Sequence, residues 1–336
     1  ISVAAGLLDA RKRAKGKLSN YKSVIADPEG VQQATSSAIA SHKAKRFAEH
    51  ANIFDLCCGI GADLKELPSH AIGVDIDELR CWMAEQNTGK TVVLDDATRF
   101  KMPKNSVMHI DPARRNRTGR IFELDSMLPP FSEVINIAAN CSGGCIKLSP
   151  VVNQEDIEAL SLPFEIEYFE ENNRVVQGAV WFGSLANKPN RTTATSMKLG
   201  QSFSGTPTTP SLSNELGGWI HEPNVALERA GLHGTLGNTL NATELAPGIG
   251  LLTSSENLVT TWFASFEVIA TTSLRIEKVA KLLRDLECTQ VEVKTRGKTI
   301  DPNQWQIKLN KRPTGELLTV FALRLGGKRC ALITRR

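Results

Sequence analysis

The sequence predicts an α/β protein, a Rossmann-like parallel sheet followed by a smaller α+β domain, and three observations carry that prediction. The apolar run Ile53-Phe54-Asp55-Leu56 leads into Cys57-Cys58-Gly59-Ile60-Gly61, a Gly-x-Gly turn at the carboxyl edge of a first strand. A second run, Ala71-Ile72-Gly73-Val74, ends in Asp75, which stands 20 positions after Asp55, a spacing suited to an acid that holds two ribose hydroxyls. Two more runs, Thr91 to Leu94 and Val107 to Ile110, deliver Asp95-Asp96-Ala97 and Asp111-Pro112-Ala113-Arg114-Arg115. Four strands therefore bring an acid to one edge.

The remaining elements follow in order. Residues 1–50 read as a helical lead-in with a basic cluster at Arg11-Lys12-Arg13-Ala14-Lys15-Gly16-Lys17, and residues 51–186 as the sheet domain. Cys145 to Leu148 is a fifth strand, Asn153 to Leu160 a helix, and Phe164 to Phe169 and Val176 to Phe182 are strands joined at Glu171-Asn172-Asn173-Arg174. Residues 187–218 are rich in Ser, Thr, Pro and Gly, which predicts a linker or long loop. Residues 219–336 form the α+β domain. In it, Trp219 to Leu232 reads as a turn and a helix ended by Gly231, and Arg275 to Leu286 as a second helix. Strands follow at Gln290 to Thr295, Leu317 to Leu325 and Arg329 to Thr334, the last two joined by Gly326-Gly327.

The glycine turn is not the dinucleotide fingerprint, because Leu64 stands where that pattern has a third Gly or Ala. With Asp55, Gly59 and Gly61 in the order acid-x-x-x-Gly-x-Gly, residues 50–185 resemble the class I S-adenosylmethionine-dependent methyltransferases. That resemblance implies a seven-stranded sheet closed by an antiparallel hairpin and S-adenosyl-L-methionine as cofactor. It implies that Asp55, Cys57, Gly59 and Gly61 form the turn beside it, that Asp75 with Ile76 holds the ribose, and that Asp96 with Ala97, or Asp95 in its place, meets the adenine. Asp111 faces both cofactor and target.

Composition sets the outer limits. A chain of 336 residues, 41% hydrophobic and 23% charged, suits two soluble domains. No apolar run approaches the roughly 18 residues of a bilayer span, and no leader is visible, so a cytoplasmic protein is expected, although the chain starts at Ile1. Seven cysteines show neither paired Cys-x-x-Cys spacing nor a histidine pair, and predict packing residues with no structural metal. The net charge of +4 is unevenly spread: Lys278 to Arg336 holds 14 Lys and Arg against 5 Asp and Glu. Such asymmetry suits either contact with a polyanion or a solvated basic face.

The carboxy-terminal half resembles the THUMP-like domain that follows a methyltransferase domain in one bacterial family. The residues that carry this are His221-Glu222-Pro223, Ala230-Gly231-Leu232, Arg296-Gly297 and Leu325-Gly326-Gly327, with Asp111 to Arg115 and the lead-in Thr35, Lys43 and Arg46-Phe47. THUMP domains proper bind structured RNA, so an RNA substrate is implied. Asp111, Pro112, Arg114 and Arg115 are then the catalytic candidates. Asp111 would orient an exocyclic amine of a flipped base, Pro112 fix the turn, and the two guanidinium forks clamp phosphates or pair with acids such as Glu123 or Asp125. Amine-methylating relatives carry a second proline and an aromatic where Ala113 and Arg114 stand, and Leu148-Ser149-Pro150 lacks the cysteine of pyrimidine C5 chemistry. Ribose and exocyclic nitrogen targets both stay open, as do a protein or small-molecule substrate and a regulatory role without turnover.

Overall fold

The structure, a computed structural model, describes residues 2–114, 124–152, 155–213, 215–288, 290–310 and 316–336. It divides into two compact units, Ile1–Ser204 and Gly205–Arg336.

The first unit is built on strands β1 (Ile53–Leu56), β2 (Ile72–Asp75), β3 (Val92–Leu94), β4 (Val107–Ile110), β5 (Gly143–Leu148), β6 (Phe164–Glu171), β7 (Arg174–Gly183), β8 (Thr192–Ser196) and β9 (Gln201–Gly205), in the spatial order β9-β8-β6-β7-β5-β4-β1-β2-β3. The five strands β1 to β5 pair in parallel. β7 runs antiparallel to both β5 and β6, the closing hairpin expected of a methyltransferase sheet. β1 and β4 are buried along their whole length, which is why they read as unbroken apolar runs. The lead-in forms α1 (Ser2–Ala14), α2 (Pro28–Gln33) and α3 (Ser37–Ala44). After it, α4 (Ala62–Glu66), α5 (Glu78–Thr88) and α6 (Phe131–Ala138) alternate with the strands. Glu155–Leu160, within the stretch expected as a helix, is a short 3-10 turn.

The sheet has nine strands rather than seven, because β8 and β9 arise inside the stretch whose composition predicts a linker. The physical reason is a polar interior. Glu165 and Glu167 on β6 are buried, and the hydroxyls of Thr193 and Thr195 on β8 donate to them. Arg46 forks onto Glu165 at 2.8 and 3.2 Å and stacks 4.2 Å over the Trp181 ring, whose Nε1 donates to Glu167. Buried threonines satisfied by carboxylates have the branched shape of a strand but no hydrophobic alternation.

The second unit holds β10 (Trp219–Pro223), β11 (Thr243–Glu244), β12 (Leu252–Ser254), β13 (Phe263–Ser273), β14 (Gln290–Thr295), β15 (Leu317–Leu325) and β16 (Lys328–Arg335), ordered β11-β12-β10-β13-β16-β15-β14. Helices α7 (Val225–Arg229), α8 (Leu232–Thr239), α9 (Ile276–Asp285) and α10 (Pro302–Leu309) complete it. Val279 and Leu283 of α9 and Leu309 of α10 share one core with Val291, Val320 and Ile333. Trp219 to Pro223 is a strand rather than a turn, and the helix after it is capped by the Asn224 side chain on Ala226 N–H. Gly326 and Gly327 both take positive φ, 52° and 80°, as the two-residue hairpin requires.

Candidate active site

β1 runs out into a turn in which Cys57, Gly59 and Gly61 take φ of 56°, 55° and 81°. The two glycines do different work. A Cβ on Gly61 would lie 2.8 Å from Thr88 Cγ2 and 3.1 Å from Ala84 Cα, so Gly61 lets α4 start against α5. A Cβ on Gly59 would meet nothing within 4 Å, and the Gly59 N–H donates to Asp75 Oδ2 at 2.8 Å. Asp75 Oδ1 accepts from Asp77 N–H at 3.0 Å. The turn and the acid 16 residues on are thus one surface, fixed in place by the backbone. Burial pushes the Cys57 and Cys58 thiols far up, so neither is a thiolate nucleophile.

That surface is one wall of a pocket of about 970 Å³ at the carboxyl ends of β1 to β4. Asp75, the exposed Ile76, Asp96 and the buried Ala97 line it together. Asp95 accepts from Asp96 N–H at 2.7 Å, and Asp96 from Thr98 N–H at 2.9 Å. The latter bond holds the Asp96 carboxyl below its ordinary range.

Asp55 is placed differently from a simple ligand acid. It is buried at the pocket wall, and its Oδ1 accepts from His109 Nδ1 at 2.6 Å across the β1–β4 pairing. The other ring nitrogen of His109 lies 2.9 Å from Lys43 Nζ. An ammonium only donates, so His109 Nε2 accepts and its proton sits on Nδ1. Lys43, 1% exposed, lies 2.6 Å from Asp63 Oδ1, and Thr35 Oγ1 donates to Asp63 Oδ2 at 2.6 Å. Burial lowers the Lys43 ammonium, but Asp63 outweighs it and the net shift is upward. For Asp63 burial acts upward, yet the Lys43 ammonium holds it well below the carboxylate range. Asp55, by contrast, is pushed up, because burial exceeds the pull of His109. Of the lead-in residues, Thr35 lines the pocket and Lys43 is held behind it by Asp63 and His109.

Around the predicted Asp111 and Pro112 the pocket collects Lys17, Lys147, Glu171 and Gln177, which sequence reasoning missed. Asp111, at the end of β4, lies 2.5 Å from Lys147 Nζ on β5. Lys147 also donates to Gln33 O at 3.2 Å. Lys17, Gln177 and Glu171 line the same cavity, as do the buried Pro112 and a Leu128-Pro129-Pro130 wall. The available signal was Lys147 itself, a charged residue inside the apolar strand Cys145-Ile146-Lys147-Leu148. Arg115 and Glu123 lie outside the described residues, as do the side chains of Arg114 and Asp125. Among the described residues no group of three or more His, Cys, Asp and Glu is placed to hold a metal ion, and no helix is long and apolar enough to cross a membrane.

The pocket fits S-adenosylmethionine on two observations: the open side of Gly59, and Asp55 Oδ2, a buried oxygen without a protein partner at the pocket wall. Comparison with known proteins agrees. Residues 263–336 match the family model described as THUMP domain-like. Two Mycobacterium tuberculosis proteins, from strains CDC 1551 and H37Rv, are 28% identical over 337 residues, covering 96% of this chain and 93% of theirs. Both are named uncharacterized S-adenosylmethionine-dependent methyltransferases. A solved protein of Porphyromonas gingivalis W83, whose methyltransferase assignment is provisional, superposes with a TM-score of 0.79 at 20% identity, over 99% of this chain and 89% of that one. The chain is thus similar along nearly its whole length to proteins named S-adenosylmethionine-dependent methyltransferases, with a class I methyltransferase sheet in its first unit and a THUMP domain-like segment at its end.

Proposed function

We propose that the first unit is an S-adenosyl-L-methionine-dependent methyltransferase and that its substrate is RNA. The observation that carries the enzyme reading is the 2.8 Å bond between Gly59 N–H and Asp75 Oδ2 beside an open Cβ direction, which makes a ligand surface of the turn and the acid together. Asp75 with Ile76 would hold the ribose and Asp96 with Ala97 the adenine, while Asp55, Cys57, Gly59 and Gly61 border the amino-acid end. When bound, the cofactor supplies an electrophilic methyl carbon that needs no further activation. The work left to the chain is to align the target atom and exclude water. Pro112, Leu128, Pro129 and Pro130 form the apolar wall that does the second, and Asp111 with Lys147 provides fixed charges for the first.

RNA is supported by the second unit. The match to a THUMP domain-like family covers the same stretch that holds the basic surplus. On α9, Lys278, Lys281 and Arg284 are exposed beside the exposed Glu277 and Asp285, while Val279 and Leu283 are buried, so the solvent face of the helix carries a surplus of one positive charge. Arg114 and Arg115, beside Asp111 in sequence, complete the candidate phosphate contacts. Incubation with labelled S-adenosylmethionine and total RNA, protein and metabolites from a strain lacking the enzyme is expected to place the label in RNA, and label confined to protein or metabolites would refute the RNA reading. RNA affinity should also fall steeply with salt; a flat salt dependence would show that the basic stretch meets no phosphates.

A further inference from the structure

We propose that Lys17 accepts the proton of a hydroxyl nucleophile at the Asp111 end of the pocket, so that the atom methylated is an alcohol oxygen, in RNA a ribose 2′-hydroxyl. The inference rests on the methyltransferase reading above and names the target that reading leaves open. Four charged side chains border that end of the cavity: Lys17 from the turn after α1, Asp111 from the end of β4, Lys147 from β5 and Glu171 from the end of β6. The two lysines are held differently. Lys147 Nζ lies 2.5 Å from Asp111 Oδ2 in an ion pair. Among the described residues Lys17 Nζ meets no carboxylate within ion-pair distance, and it donates to two backbone carbonyls, Val31 O at 2.8 Å and Gln32 O at 2.9 Å. A neutral amine has two N–H groups and one lone pair. The carbonyls take both N–H groups, which leaves the lone pair for the cavity that Lys17 lines. Burial, and next the charge of Lys147, push Lys17 down from the ordinary lysine range, against the opposing pull of Glu171 and Asp111.

Such a set serves an oxygen better than a base amine. A hydroxyl is a weak nucleophile until its proton is leaving, and an ammonium beside it stabilises the negative charge that then develops. A nitrogen target gains positive charge as it is methylated, which the Lys147 ammonium would oppose. The described residues that line the cavity include no aromatic ring on which a flipped base would stack. In the step itself the target oxygen gives its proton to Lys17 Nζ and forms a bond to the methyl carbon. The carbon–sulfur bond breaks with its electron pair remaining on sulfur, and Lys17, now an ammonium, returns the proton to water.

The test uses the full chain with labelled S-adenosylmethionine and RNA, followed by nuclease digestion and mass spectrometry. Expected is a 2′-O-methyl nucleoside; label on a base nitrogen or carbon overturns the hydroxyl target while leaving the RNA methyltransferase reading intact. Lys17→Met and Lys17→Arg are both expected to slow transfer by roughly 10²- to 10⁴-fold, the ordinary worth of a general base, with cofactor affinity within about threefold of the parent. Wild-type rate in Lys17→Arg, whose guanidinium cannot accept the proton, overturns the role of Lys17. Independently of turnover, acylation of Lys17 followed against pH in the cofactor-free protein should show a midpoint below that of exposed lysines in the same digest. An equal or higher midpoint overturns the proposal. Failure of the methyltransferase reading is separate: there, calorimetry finds no cofactor binding at all.

Discussion

Motif residues of both units meet in ion pairs, but the two clusters lie in different media. Beneath the pocket, Lys43 and Asp63 are 1% and 8% exposed, and with His109, Asp55 and Thr35 they form one chain of buried ion pairs and hydrogen bonds. In the second unit Arg296 forks onto Glu228 at 2.8 and 3.3 Å, and Lys294 pairs with Glu222, with side chains 22–30% exposed. Burial decides what the pairs are worth. A buried pair gains little over an apolar one of the same shape, yet removing one member strands the other, whereas water replaces most of what a half-exposed pair provides. The same residue types therefore make a structure that breaks when touched in one unit and one that tolerates change in the other.

The largest effect should come from Lys43→Met. It leaves the Asp63 carboxylate buried and unpaired and is expected to cost about 3–5 kcal/mol in denaturant unfolding. Adding Asp63→Asn should restore part of the loss, and strict additivity of the two changes would break the comparison. The pair should also be indifferent to ordinary pH. Asp63 is depressed in the fold, so its contribution is present above the unfolded value near 3.9 and is lost only as pH falls through the lower folded one. Lys43 is raised, so its contribution is present below the unfolded value near 10.4 and fades as pH climbs past the folded one.

At the pocket wall the expected effects are intermediate. Asp75→Ala removes the acceptor of the Gly59 N–H and is expected to weaken S-adenosylmethionine binding by roughly 10- to 100-fold in calorimetry, or about 1.5–3 kcal/mol, with little change in stability. Gly61→Ala should do the reverse. Its φ of 81° and the contact with Ala84 and Thr88 set a cost of about 1–3 kcal/mol in folding. If Gly61→Ala left stability unchanged, the division of labour between the two glycines would be wrong.

These contrasts also mark what sequence can and cannot reveal. Gly59, Gly61 and Asp75 are legible because a left-handed turn and a 20-residue βαβ spacing are local rules, and β1 and β4 because a strand buried on both faces must be apolar. β8 is illegible because Thr192-Thr193-Ala194-Thr195-Ser196 is buried against carboxylates rather than hydrocarbon, so the alternation that announces a strand is absent. Lys17 and Lys147 escape for another reason. Their partners, the carbonyls of Val31 and Gln32 and the carboxylate of Asp111, lie 14, 15 and 36 residues away in sequence, and only the pairing of β4 with β5 brings Asp111 within reach. Asp55 shows the limit of a motif: its place was readable, while its His109 partner depends on strand register.

In the second unit pH should matter where it does not beneath the pocket. His221 is buried between Ser265 Oγ at 2.9 Å and Ser254 Oγ at 2.7 Å, and burial lowers it to about 4. Between its unfolded value near 6.5 and about 4 the unfolded chain binds the extra proton first, so stability falls as pH drops through that window, by about 3 kcal/mol at most. Hydrogen exchange of β10 amides should show the opening, and His221→Gln should remove the difference between pH 7 and pH 4.5 that exceeds the general acid effect.

The smallest effect is expected at Arg296→Met. With Glu228 30% exposed, water takes over the carboxylate and unfolding should change by less than about 1 kcal/mol. A loss of several kcal/mol would mean that this cluster behaves like the buried one, and that exposure is not what separates the two units. If stability holds but RNA binding weakens and its salt slope flattens by about one unit, the guanidinium meets a phosphate as well as Glu228. The second unit would then keep its charges at the surface because they are needed there, which the buried charges of the first unit are not.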